Sequence, residues 1–156
     1  MNEFTRNKTM LSLNSRIESV MSKTYRASRD LCITKISEYC LAINETNRYY
    51  LDQKYAQKGK YGSIIAPPAF VEIIAKKAWS GIYKTLEWDP NLVLMCTYKM
   101  KCKRLIRPYM YLTVNAKITD YKIKKKYYFL YVCHVVTNDN NQLVAELDVV
   151  LAYPIN

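Results

Sequence analysis

The period of the hydrophobic positions changes near Pro90 and divides the chain into a helical part and a strand part. In residues 92–104, apolar Tyr98, Met100 and Cys102 alternate with Lys99, Lys101 and Lys103. In 110–118, Met110, Leu112, Val114, Ala116 and Ile118 share one face, with Tyr111, Thr113, Asn115 and Lys117 on the other. Residues 127–136 and 143–153 flank the polar turn TNDNNQ, so four long antiparallel strands are predicted. Before Asp89 the spacing is helical: Phe70, Ile73, Ile74, Ala78, Trp79 and Ile82 recur on a helix expected from about Pro68 to Tyr83. Pro67 and Pro68 suit its first turn, where the missing N–H would be unpaired anyway. Apolar residues cover so much of its circumference that it is expected inside the fold.

Shorter elements precede it. Tyr25 to Ile33 reads as a strand or lead-in, after which Thr34 is placed to cap a helix carrying Ile36, Tyr39, Cys40 and Ile43 and ending near Asn44. Residues 44–63 form a polar, tyrosine-rich connection with one short helix over Asp52–Gln57, closed by Gly59 and Gly62. The first 22 residues, with Met10, Leu11, Leu13, Ile17 and Val20 at amphipathic spacing, read as an arm poorly ordered on its own. A single domain over 23–156 follows. The class is α+β, a curved antiparallel sheet wrapped around a long central helix.

Composition narrows the function. With 156 residues, 50% of them hydrophobic, and only 3 Gly and 5 Pro, the chain is neither disordered nor fibrous. No window approaches a membrane span, and the charged first 25 residues do not form a signal peptide, which points to the cytoplasm. Cys32, Cys40, Cys96, Cys102 and Cys133 are odd in number and form no CxxC pair, so they read as core thiols rather than disulfides or metal ligands. Neither a metal nor another cofactor is expected. The net charge of +11 is concentrated in 93–126, where ten bases face one acid; such a local excess implies an anionic partner or a solubilising face.

Three segments together carry a family resemblance: INETNRYYLDQKYA from Ile43, KYGSIIAPPAF ending at Phe70, and VVTNDNNQLVAELDVVLAYP at the end of the chain. They resemble the MaoC-like hydratase and dehydratase family of hot-dog folds, closest to members with an APPTF-type loop. The resemblance covers roughly residues 25–154 and implies an acyl thioester of coenzyme A or acyl carrier protein, with the acyl chain in a tunnel beside the central helix at a dimer interface. Active members use an Asp and a His five positions later to handle the water that adds to, or leaves, an enoyl thioester. Backbone N–H groups at a helix N-terminus stabilise the thioester oxygen.

Carried over residue by residue, the Asp falls on Glu45 and the His on Tyr50. Neither matches. The resemblance therefore implies a subunit that keeps the loop but lacks the pair, a homodimer or the partner of an active subunit. Its binding groups would be the backbone of Ala66, Pro67, Pro68, Ala69 and Phe70, apolar lining from Phe70, Val71, Ile74 and Trp79, and the bases Lys58, Lys60, Arg104 and Arg107. His134, the only histidine, has the inward parity of Tyr128, Leu130, Val132 and Val136 and reads first as a core residue, with a catalytic role as the remote alternative. A second reading keeps the enzyme, either an (R)-specific hydratase or dehydratase in which Glu45 positions water and Tyr50 or His134 assists, or a thioesterase using Glu45 or Glu72. A third, single-stranded nucleic-acid binding by the basic segment with Tyr98, Tyr109, Tyr111 and Tyr121, is disfavoured because no named motif accompanies it.

Overall fold

The computed structural model describes residues 15–155. Residues 1–14, which carry most of the expected arm, lie outside the described residues. Residues 15–21 are helical (α1), and Ile17 and Val20 are fully buried in the core. Next come β1 (Thr24–Asp30), α2 (Ile33–Ala42), α3 (Arg48–Leu51) and α4 (Gln53–Lys58). A 3₁₀ turn over Pro68–Phe70 then runs directly into α5 (Val71–Leu86). The chain closes with β2 (Leu94–Cys102), β3 (Tyr111–Lys124), β4 (Tyr127–Thr137) and β5 (Leu143–Pro154).

All pairings are antiparallel, in the order β1-β3-β4-β5-β2, so β3, β4 and β5 form a meander while β2 crosses to the far edge. The helix α5 lies on the concave face. Its Val71, Ile74, Ala75, Ala78, Trp79, Ile82 and Leu86 are buried, on the 3–4 residue spacing that aligns one helical face. The expected α+β arrangement of a curved sheet around a central helix is present. One detail differs, since Lys76, Lys77, Ser80 and Lys84 remain exposed along an open stripe of α5.

Two β-bulges explain where the alternation of the sequence misleads. In β3 the register shifts between Ile118 and Asp120, which reverses the inward parity, so Tyr121 pairs with Leu130 and the strand continues to Lys124. In β2 it shifts between Met95 and Thr97, so Cys96 does not share a face with Cys102. Both thiols are exposed, only Cys40 is buried, and Cys32 and Cys133 are partly covered; the expectation of five core thiols is therefore corrected. The capping expectation also shifts: Cys32 occupies the N-cap of α2 without a side-chain bond, and Thr34 lies inside the first turn. At the other connection Asp52 does cap α4, accepting from Tyr55 N–H at 2.9 Å.

The end of α5 is a Schellman-type stop, with Trp88 N–H donating to Tyr83 O at 2.9 Å and Glu87 in the left-handed region at φ 57°. Glu87 also binds Arg16 at 2.6 Å, tying α1 to this end. Gly81 matters for a different reason. A Cβ there would stand 2.6 Å from the ring of Tyr25 on β1, so glycine allows the strand to approach the helix. Among the described residues no helix is long and apolar enough to cross a membrane.

Helix propensity alone would make Gly81→Ala stabilising by about 1 kcal/mol. The close approach reverses the sign, and the substitution is expected to destabilise by about 1–3 kcal/mol through overpacking. Denaturant unfolding checks this, and in a Tyr25→Ala background the same change is expected to become neutral or stabilising.

Candidate functional site

The connection after α2 begins with Asn44 in the left-handed region at φ 54°, which turns the chain so that Glu45 N–H donates to Cys40 O at 2.8 Å. Glu45 then folds back on the backbone, its Oε1 accepting from Thr46 N–H at 2.9 Å and Asn47 N–H at 3.0 Å. Asn47 caps α3, accepting from Tyr49 N–H at 3.0 Å. Tyr49 anchors a ring cluster with Tyr55 and Tyr61, centroids 5.1 and 4.9 Å away, and Gly59 leaves room for its ring. Tyr50 is thereby held half-buried beside Glu45. Burial pushes its phenol up from the ordinary value, and the charge of the Glu45 carboxylate pushes it further.

The Ala66–Phe70 loop is held from two sides. Ile65 N–H donates to Tyr49 O at 3.2 Å and Ala66 N–H to Ile106 O at 2.8 Å. This corrects the expectation of several free donors. The amide of Ala66 is committed, Pro67 and Pro68 have no N–H, and the amide of Phe70 donates to Pro67 O at 2.9 Å. Ala69, half-exposed at the start of the helical run, carries the amide that has no acceptor among the described residues. One N–H, assisted by the positive end of α5, is what this loop offers an oxyanion.

Beside it, Phe70 packs edge-on against Tyr39, with centroids 5.4 Å apart. Glu72 follows, paired with Lys76 at 3.0 Å in the i, i+4 arrangement. Burial, reinforced by the Glu72 carboxylate, pushes the Tyr98 phenol up to about 12. Phe70, Val71 and Ile74 have no exposed surface and belong to the core instead of lining an open tunnel. Trp79 does reach a cleft. It lines an opening of about 350 Å³ between α5 and β2, with Tyr83, Pro90, Val93, Met95 and Leu151.

His134 lies on β4, where it faces Trp79 of α5, and is fully spoken for. Trp79 Nε1–H donates to its Nε2, which fixes the tautomer so that Nδ1–H donates to Leu147 O at 3.3 Å. Burial lowers its pKa below the ordinary imidazole value. The structure thus groups Glu45 with Tyr50, and His134 with Trp79; the two groups are separate.

Among the expected bases, Arg107 is structural as well as cationic, its Nη1 donating to Tyr61 O at 2.8 Å and to Ser63 Oγ. Arg104 and Lys58 are exposed, and Lys60 lies over the ring of Tyr61 at 4.7 Å. The four tyrosines proposed to stack on bases share no platform: Tyr98 and Tyr121 pack against the core, while Tyr109 and Tyr111 are exposed. Sequence reasoning missed the role of Ile106, whose carbonyl removes the Ala66 donor; only the pairing of distant loops reveals it. Among the described residues no group of three His, Cys, Asp or Glu side chains is placed to hold a metal ion.

A family model described as the FAS1-like dehydratase domain region matches residues 22–147. No curated protein matches the sequence. Solved structures share the fold. The HadBC (3R-hydroxyacyl-ACP dehydratase) complex of Mycobacterium tuberculosis superposes with a TM-score of 0.73 at 17% identity, covering 83% of this chain and 94% of that one. The ChsH1-ChsH2 complex of the same organism gives 0.71 at 16% identity, over 92% of both chains. R-hydratase PhaJ1 of Pseudomonas aeruginosa gives 0.67 at 13% identity, over 85% of this chain and 80% of that one. The fold is the hot-dog fold of dehydratases and hydratases.

The buried imidazole makes stability depend on pH. The unfolded chain takes up a proton near the ordinary value of about 6.5, while folded His134 resists it, so stability present above that value is lost as pH falls below it. Melting temperature is expected to fall between neutrality and about pH 5.5, before most carboxylates titrate. His134→Gln, whose amide oxygen still accepts from Trp79, is expected to flatten that part of the profile.

Proposed function

The chain belongs to the FAS1-like dehydratase domain family, and from that premise we propose that it is an acyl-thioester-binding subunit without an effective acid–base pair of its own, acting beside a catalytic partner. The observation that carries the reading is the chemistry at Glu45 and Tyr50. Adding water across an enoyl thioester needs a group that takes a proton from water and one that returns it. A phenol pushed above its ordinary value of about 10 stays protonated at neutrality and serves as a hydrogen-bond donor, not a base. The Glu45 carboxylate is oriented by two backbone amides, which leaves Oε2 to hold a water without a second titrating group to complete the transfer.

Binding features favour a thioester. The Ala69 amide at the head of α5 suits the thioester oxygen. The cleft at Trp79 offers apolar contacts from Val93, Met95 and Leu151 to an acyl chain, each buried CH₂ contributing about 0.8 kcal/mol, with Lys76 on its wall. Two features favour a partner subunit. β2 is an edge strand with Leu94 and Met95 exposed, and two of the similar structures are two-subunit complexes. Five unpaired thiols suit a reducing compartment such as the cytoplasm. A second reading, an active hydratase or thioesterase, rests on the one free oxygen of Glu45. Glu72 is the weaker carboxylate for it because Lys76 already neutralises it.

The purified chain alone is expected to hydrate crotonyl-CoA negligibly, since losing general acid–base work forfeits roughly 10²–10⁴-fold in rate. Glu45→Asp combined with Tyr50→His is expected to introduce measurable turnover in a spectrophotometric assay. Ordinary turnover by the unaltered chain, abolished by Glu45→Gln, would favour the second reading instead.

A further inference from the structure

A second cleft, of about 170 Å³, opens between α4 and the loop joining β2 to β3, with Ile64 in its floor, Gln53, Gln57, Ser63 and Arg107 in its walls and Tyr109 at its rim. We infer that this cleft receives the adenine nucleotide end of coenzyme A, so that the chain selects the coenzyme over a carrier-protein thioester. This rests on the thioester reading above and specifies the handle by which the thioester is held.

Tyr109 is the first reason. It sits at φ 66°, in the left-handed region that a bulky side chain enters only under strain. The surrounding backbone forces it there: Tyr109 N–H donates to Leu31 O at 2.6 Å, and Leu31 N–H donates to Met110 O at 3.1 Å. An αL position pinned in this way is ordinarily given to glycine or asparagine. Here it carries an aromatic ring that contributes nothing to the core, being 80% exposed, more than any other large hydrophobic side chain among the described residues. Strain combined with a ring left in water has no folding rationale, whereas an exposed ring held at the cleft by a pinned backbone and offered to a planar ligand supplies one.

Arg107 is the second. Tyr61 O and Ser63 Oγ hold its Nη1, which sets the plane of the half-buried guanidinium and leaves the other N–H groups without an acceptor among the described residues. A planar fork so oriented matches a phosphate. The surrounding segment adds a favourable field, with ten bases against one acid in residues 93–126. The Gln53 and Gln57 amides offer donors and acceptors to the edge of a purine. The loop that carries Arg107 and Tyr109 also binds the thioester loop through Ala66 N–H and Ile106 O, at 2.8 Å. A carrier-protein arm brings a phosphate but no purine, so a ring platform discriminates between the two handles.

Calorimetric titration of the full chain with coenzyme A, adenosine 3′,5′-bisphosphate and phosphopantetheine tests the inference. Coenzyme A is expected to bind at least about tenfold more tightly than phosphopantetheine, the share one stacked base typically supplies. Tyr109→Asn, which tolerates the left-handed backbone, is expected to abolish that tenfold advantage without lowering the melting temperature, and Tyr109→Phe to retain it. Equal affinity for coenzyme A and phosphopantetheine, or an unchanged coenzyme affinity in Tyr109→Asn, overturns the inference and leaves the thioester reading standing. No binding of any of the three, nor of octanoyl-phosphopantetheine, overturns both.

Discussion

Burial of one face of α5 against a single antiparallel sheet is the constraint on which the rest of the molecule depends. Seven side chains of that helix, from Val71 to Leu86, must leave water together, and a sheet accommodates them only by curving around them. Approach distance sets how tightly it curves, which is why Gly81 stands opposite Tyr25 and why Trp79 reaches across to His134. The same burial turns the one histidine into a structural acceptor. An imidazole with both nitrogens engaged and its charged form disfavoured has no free lone pair for a reacting proton.

Because α5 is placed so firmly, its N-terminus offers a fixed point for chemistry, and the loops that meet there are locked by backbone bonds. Tyr49 O and Ile106 O each take an amide from the loop before α5, so the segments carrying Tyr50, Ala69 and Arg107 are tied to one another. The cost is donor capacity. An oxyanion hole built from several N–H groups is reduced to the amide of Ala69, which agrees with a subunit whose contribution is binding and placement more than acid–base work.

The open stripe of α5 and the unpaired edge of β2 belong to the same logic. A five-stranded sheet covers one side of the helix and leaves two clefts along the other, one lined by Lys76, Ser80, Tyr83, Lys84 and Pro90 and one by Lys76, Trp79, Tyr83, Pro90 and Met95. Exposed Leu94 and Met95 on an edge strand are a liability in a lone chain and a natural seat for a second subunit.

The period of the sequence was enough to locate α5, the four strands after Pro90, and the inward parity of His134, because one-sided burial imposes 3.6- and 2-residue repeats that survive any detail of packing. The alignment of Glu45 and Tyr50 came instead from the family resemblance of a short connection, where local order in the chain is local order in space. The parity of Cys96 and Tyr121 was not legible, since a bulge shifts the count by one residue and leaves no trace in composition. Nor was the loss of the Ala66 donor, the anchoring of Arg107 by residues more than forty positions away, or the left-handed backbone of Tyr109. Each depends on which distant loop arrives at a given carbonyl or amide, and only the closed sheet, by bringing those loops together, decides it.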